Sequence, residues 1–128
     1  MKRLRRLSVV GFTLLTSCGP ADVEVLQELS FVGKTWLSTD SSAPLGTIRI
    51  FLPDGTLLMD SCGETYRLAR WTSMNDTRIA WEEDTARIEV DVTQAAADVL
   101  ELRLHLKSEV KVERYRLARV PYVCPDNR

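Results

Sequence analysis

From residue 33 onward, apolar and polar positions alternate with a period of two, the pattern of strands that bury one face. "TARIEVDV" (85–92) sets Ala86, Ile88, Val90 and Val92 on one side and Arg87, Glu89 and Asp91 on the other. "VLELRLHLK" (99–107) repeats the pattern with Leu100, Leu102, Leu104 and Leu106, and leaves His105 on the polar face beside Arg103 and Lys107. "TIRIFL" (47–52) and "TLLMDSC" (56–62) flank Pro53-Asp54-Gly55, a turn signal between two apolar runs. "KTWLST" (34–39), "ETYRLARW" (64–71), "TRIAWEE" (77–83) and "VKVERYRLAR" (110–119) complete eight strand candidates. Parallel crossovers need a dozen or more residues, and none of these links is that long, so the strands form an antiparallel meander. Closing such a sheet on itself removes its exposed edges. The expected fold is therefore all-β, an eight-stranded antiparallel barrel over residues 33–128. Its interior is either filled by side chains or open to one small ligand.

One phrase occurs twice. Glu-x-Tyr-Arg-Leu-Ala-Arg spans 64–70 and again 113–119. Burying Tyr66 and Leu68 is cheaper than burying Arg67 and Arg116 unpaired. That register predicts Tyr66 and Leu68 inside, with Arg70 and Arg119 turned inward near an end of the barrel.

The first twenty residues follow a different rule. Lys2, Arg3, Arg5 and Arg6 form a cationic start, and Leu7 to Thr16 is an uncharged apolar run. This is the order of a secretory signal peptide, and the run is far short of the roughly 20 residues that a spanning helix needs. The run ends in Leu15-Thr16-Ser17-Cys18, which resembles the bacterial lipobox. The resemblance implies cleavage before Cys18, a diacylglycerol on its thiol and acylation of the new N-terminus, so that Cys18 is a lipid anchor to the membrane. More than one acyl chain is needed for stable anchoring, and this chemistry supplies it. Gly19 stands where an aspartate retains many such lipoproteins in the inner membrane, so the expected location is the outer membrane, facing the periplasm. The organisation that follows is a signal peptide over 1–17, a tether over 18–32 and the barrel domain. Within the tether, Val25, Leu26 and Leu29 have near-helical spacing behind Asp22, so a short helix is expected there.

Charge enters at this point. The full chain of 128 residues has a formal net charge of −1. Cleavage removes four cations and leaves 13 against 18 acids, a net −5. A mixed, mildly acidic surface argues against a nucleic-acid partner, which calls for a basic face. Of three cysteines, Cys62 and Cys124 remain after Cys18 is assigned. In an oxidising compartment they have one intramolecular pairing open to them, a disulfide. A metal site has no support: there is no Cys-x-x-Cys, and His105 is the only histidine. No cofactor is expected either. No nucleophile motif or phosphate-binding glycine loop appears, and the chain reads as non-catalytic.

The layout resembles lipocalin-like barrels and META-domain lipoproteins. The carriers are Gly33-Lys34-Thr35-Trp36 at the first strand, the Pro53-Asp54-Gly55 hairpin, and Ser61-Cys62-Gly63 ahead of a tyrosine-bearing strand. Lipocalins open with Gly-x-Trp, one residue shorter, and META domains carry Gly-Cys-Asn where this chain has Ser-Cys-Gly. The lipocalin resemblance implies that a late-strand arginine packs on the first-strand tryptophan, here Arg119 on Trp36, where closure joins the first strand to the last. It implies a binding module for a small hydrophobic ligand or an envelope protein, with Trp71 and Trp81 as candidate contacts. The competing readings are a structural or stress-related lipoprotein without a ligand, and an inhibitor of a periplasmic hydrolase acting through the loop Asp40 to Leu45. An open apolar cavity favours the first and a filled interior the others.

Overall fold

The structure, a computed structural model, describes residues 29–126. The expected signal peptide, Cys18 and most of the expected tether lie outside the described residues. Eight strands follow in order: β1 (Thr35–Ser38), β2 (Ile48–Phe51), β3 (Thr56–Ser61), β4 (Glu64–Asn75), β5 (Arg78–Glu83), β6 (Ala86–Ala96), β7 (Val99–His105) and β8 (Val110–Leu117). Each pairs antiparallel with the next, and β8 returns to β1, closing the barrel. At the closure Trp36 lies opposite Leu117, and Ser38 opposite Tyr115. This is the all-β, closed antiparallel meander that the alternation predicts, and it is consistent with a lipocalin-like barrel.

The interior is dry toward one end. Trp36, Phe51, Leu57, Trp71, Ile79, Trp81, Val90, Leu100 and Leu102 are fully buried there. The helix expected behind Asp22 falls almost wholly outside the described residues, and Leu29 to Gly33 are not helical. They form a turn, with the Val32 amide donating to the Leu29 carbonyl at 3.0 Å, and Phe31 inserts into the core. Its ring meets Phe51 edge-on at 5.2 Å and Trp71 at 5.9 Å. The end of the stretch assigned to the tether is thus a plug for the barrel floor. The Pro53–Gly55 turn completes this end, where the Gly55 carbonyl accepts from the Trp71 amide and the Leu52 carbonyl from the Trp71 indole.

The repeated phrase is used in two opposite registers, which corrects one expectation. In β8, Tyr115 and Glu113 point inward and are buried, as alternation from Tyr115 requires. In β4 the inward row is Arg67, Ala69 and Trp71, while Tyr66 and Leu68 are 59% and 60% exposed. Trp71 and Tyr66 sit at positions of opposite parity, so an unbroken strand cannot bury both. The indole has the larger apolar area and an opposite partner in Trp81, and it sets the register. Arg67 tolerates the inward row because it sits near the barrel mouth, paired with Glu83 at 2.8 Å. Arg70 and Arg119, expected to turn inward, are both exposed.

Past Leu117 the chain leaves the barrel wall and returns along its outside. The Ala118 amide still bonds the Thr35 carbonyl. Cys124 then joins Cys62 at the β3–β4 turn, with Cα atoms 5.6 Å apart. The disulfide pair expected from the sequence is therefore present, and it fixes the tail to the opposite end of the barrel from the one it starts at.

Candidate functional site

The end away from the aromatic plug is open. A cavity of about 260 Å³ lies there, lined chiefly by polar side chains from β1–β4, β8 and the β1–β2 loop. Its floor is a charged cluster built from inward positions of β2 and β8. Arg49 shares its parity with Phe51, and Glu113 shares its own with Tyr115. Once the two aromatic rings are buried, both charges must face in. Between them runs β1, whose inward residue at this level is Ser38, small enough to let Arg49 reach across to β8.

Arg49 Nη2 donates to Glu113 Oε2 at 2.8 Å and Nε to the same oxygen at 3.2 Å. Arg49 Nε also donates to the Tyr115 hydroxyl at 2.7 Å, and that hydroxyl donates to Glu113 Oε2 at 2.6 Å. Lys111 Nζ closes on Glu113 Oε1 at 2.9 Å from the rim. The two central side chains are only 11% and 10% exposed. The Arg49 guanidinium carbon also sits 5.1 Å from the centre of the Trp81 ring, the geometry of a cation–π contact.

The electrostatics follow from this arrangement. Burial pushes the Glu113 carboxyl up, but the Arg49 charge and the hydrogen bonds from Tyr115 and Lys111 outweigh it and hold the group below the ordinary glutamate range. Burial likewise pushes the Tyr115 phenol up, above its ordinary range, so it remains a donor at neutral pH. For Arg49, burial pulls downward while Tyr115 and Glu113 pull upward and win, and the guanidinium stays charged. Among the described residues, two buried polar atoms, Arg49 Nη1 and Ser61 Oγ, find no partner, and both belong to residues that line the cavity.

The rim is held as firmly as the floor. Asp40 Oδ1 accepts from the Ser42 amide and hydroxyl at 2.8 Å, which turns the β1–β2 loop back on itself. Those bonds keep the Asp40 carboxyl below its usual range. The Leu45 carbonyl accepts from the Cys62 amide at 2.9 Å, tying the loop to the β3–β4 turn. Gly46 sits over the disulfide with φ at 71°, and a Cβ there would overlap Cys62 Sγ. Only glycine lets the loop approach so closely in this left-handed conformation.

Trp71 and Trp81, the candidate contacts, do not line this cavity. Trp71 and Trp81 are 1% and 0% exposed and lie directly opposite each other inside the barrel. The closure contact is also corrected. Trp36 lies on the strand that closes the barrel, but its indole N–H donates to the Phe31 carbonyl at 2.9 Å. Arg119 lies beyond the end of β8, exposed to solvent, and makes no stack on Trp36. Among the described residues the guanidinium–indole contact belongs to Arg49 and Trp81. His105 is exposed, as its strand position predicts. It bonds Asp91 at 2.7 Å, and Arg78 bonds the other carboxylate oxygen, which makes a surface ion-pair group without a nucleophile in hydrogen-bond reach. Among the described residues no group of three His, Cys, Asp or Glu side chains is placed to hold a metal ion. Neither a protein-family model nor a curated protein matches this chain.

Proposed function

We propose that this chain is an exported lipoprotein, anchored to the membrane through Cys18, whose barrel is a non-catalytic binding module acting through its polar mouth. One observation carries the anchor. The chain has three cysteines, and the structure joins Cys62 to Cys124. Cys18 is the one left over, and it is the one in lipobox register behind a signal-like segment. A stabilising disulfide also fits an oxidising compartment, which an envelope location would provide. By resemblance that location is the outer membrane facing the periplasm.

The lining of the mouth bears on the guest. The three indoles fill the dry half of the barrel, and the described cavity presents Arg49, Arg67, Lys111, Asp60, Glu64 and Tyr115. Such a surface favours polar side chains of an envelope protein over a small hydrophobic ligand. An acceptor offered there would also serve the unpartnered Arg49 Nη1 and Ser61 Oγ.

Cys18→Ser is expected to abolish palmitate incorporation and leave the precursor uncut. A processed, labelled variant would overturn the anchor. For the mouth, a photo-crosslinking residue at Ser42 on the rim should capture one envelope protein, and Lys111→Glu should lose it. Absence of any adduct at the rim would remove the binding reading while leaving the anchor intact.

A further inference from the structure

Among the described residues, the outward row that the register of β4 creates is uncovered at its Tyr66 and Leu68 end. Leu68 faces out opposite Leu58 of β3, which faces out opposite Ile50 of β2, so three apolar side chains cross three strands in one line. Leu68 and Tyr66 are 60% and 59% exposed. Arg70, two residues beyond Leu68 on the same face, is exposed and acts on the Asp54 carboxylate only through its charge, with no side-chain hydrogen bond or close ion pair among the described residues. Single exposed apolar residues are ordinary, but a registered row with an exposed tyrosine is the kind of patch that marks an interface.

We propose that this face pairs with the same face of a second copy of the chain, about a two-fold axis lying along the Ile50–Leu58–Leu68 row. The pattern is self-complementary about that line. Such an axis runs the two β4 strands antiparallel and sets Leu68 on Leu68 of the second copy. It brings Tyr66, two residues to one side, over Arg70 of the second copy, two residues to the other. Both contacts occur twice, as an isologous interface requires. A guanidinium over a tyrosine ring is attractive because the ring face carries the negative part of the quadrupole. The apolar row meets itself, so no charge lies on the axis. A partner with an arbitrary surface would have no reason to match cation and ring at equal distances from one leucine. The arrangement stands whether or not Cys18 carries a lipid.

A residue on a two-fold axis meets its own copy, so one cysteine tests the geometry. In the full-length chain expressed in its host, Leu68→Cys is expected to give an oxidised adduct of twice the chain mass. Arg87→Cys, on the outer face of β6 away from the row, should give none. A benzophenone amino acid at position 68 should give the same adduct without thiol chemistry. Adding Tyr66→Arg to Leu68→Cys sets like charges against each other and should lower the adduct about tenfold. Adding Arg70→Tyr as well restores ring against cation, with the two sides exchanged, and should recover the adduct. The inference fails if Arg87→Cys crosslinks equally, if position 68 captures a different protein or nothing, or if the exchanged pair does not recover what the single change loses. Loss of the Cys62–Cys124 bond in a variant identifies a misfolded barrel, and the exchanged pair then decides the matter.

Discussion

Glu113→Gln probes the floor of the mouth with the least change of shape. The carboxylate takes three hydrogen bonds on one oxygen and a lysine on the other. The amide keeps the volume but removes the charge, and its NH₂ must face either Lys111 or the Arg49–Tyr115 donors. Arg49 is then left charged, nearly buried and facing a neutral group. Breaking a buried pair by removing one partner costs about 3–5 kcal/mol. The cavity above gives water some access to Arg49, so the lower end applies, about 3 kcal/mol. For a barrel of this size that is a fall in Tm of about 15 °C, measurable by thermal or urea denaturation followed by tryptophan fluorescence.

Two controls separate this account from simple loss of packing. Arg49→Met with Glu113→Leu removes both charges together and should lie within about 1 kcal/mol of the wild type, because apolar replacement of a buried pair is often neutral or better. The pH profile supplies the other. Glu113 is held below the ordinary glutamate range when folded. Its contribution is therefore fully present above that range and lost as pH falls through the depressed folded value. The wild type should lose stability on acidification over that interval, and Glu113→Gln should lack that part of the slope. A Glu113→Gln cost below about 1 kcal/mol, the value of an exposed ion pair, would show that the cluster is effectively solvated and refute the reasoning.

Cys124→Ser opens a loop spanning 62 residues of sequence separation and should cost up to about 4 kcal/mol in urea denaturation; equal midpoints for wild type with and without reductant would contradict it. Gly46→Ala forces a side chain into the left-handed region, about 1–2 kcal/mol by itself, and into Cys62 Sγ, so thiol titration should find free Cys62 and Cys124 in part of the protein. Asp91→Asn removes a carboxylate that Arg78 and His105 hold below its usual range. That contribution is present above the ordinary aspartate range and lost on acidification, and at this exposure the variant should shift stability by less than about 1 kcal/mol at neutral pH, less still in high salt.

The strands and their order were legible because the alternation in "TARIEVDV" and "VLELRLHLK" has one reading: the aliphatic set is larger and unbroken on one face. The register of β4 was not, because two good apolar sets of opposite parity compete in "ETYRLARW". The contest is settled only when Trp71 is seen opposite Trp81, a contact between strands that no single segment contains. The same holds for the mouth. Arg49 looks like a solvent-facing residue in "TIRIFL" until Phe51 fixes the parity, and Glu113 is bound to Tyr115 in the same way. The available signal was the pairing of an inward arginine with an inward glutamate on the two strands that flank β1, whose closure on β8 was itself an inference. The rim was out of reach, since Ser42, Cys62 and Lys111 come from distant segments gathered by the disulfide and the turns.

The inward rows explain why a binding surface would form at this end. Read from the plug toward the mouth, β2 runs from Phe51 to Arg49, β4 from Trp71 through Ala69 to Arg67, β5 from Ile79 through Trp81 to Glu83, and β8 from Tyr115 through Glu113 to Lys111. Each begins apolar or aromatic and ends charged. The rows of β6 and β7 do not change character: Val92, Val90 and Ile88, and Leu100, Leu102 and Leu104, stay apolar throughout. The charged rows therefore lie to one side, on β8, β2, β4 and β5, and those of β8, β2 and β4 line the cavity. Because the aromatic half is packed, the charged half rests on side chains that cannot retreat, and Arg49 is pinned between Trp81 below and Glu113 beside it. A guest at the mouth would meet a preset pattern of charge, with Arg49, Arg67 and Lys111 set among Asp60, Glu64 and Glu113. Such a pattern selects partners by orientation as much as by charge, because turning the guest over sets its own charges against like charges of the wall.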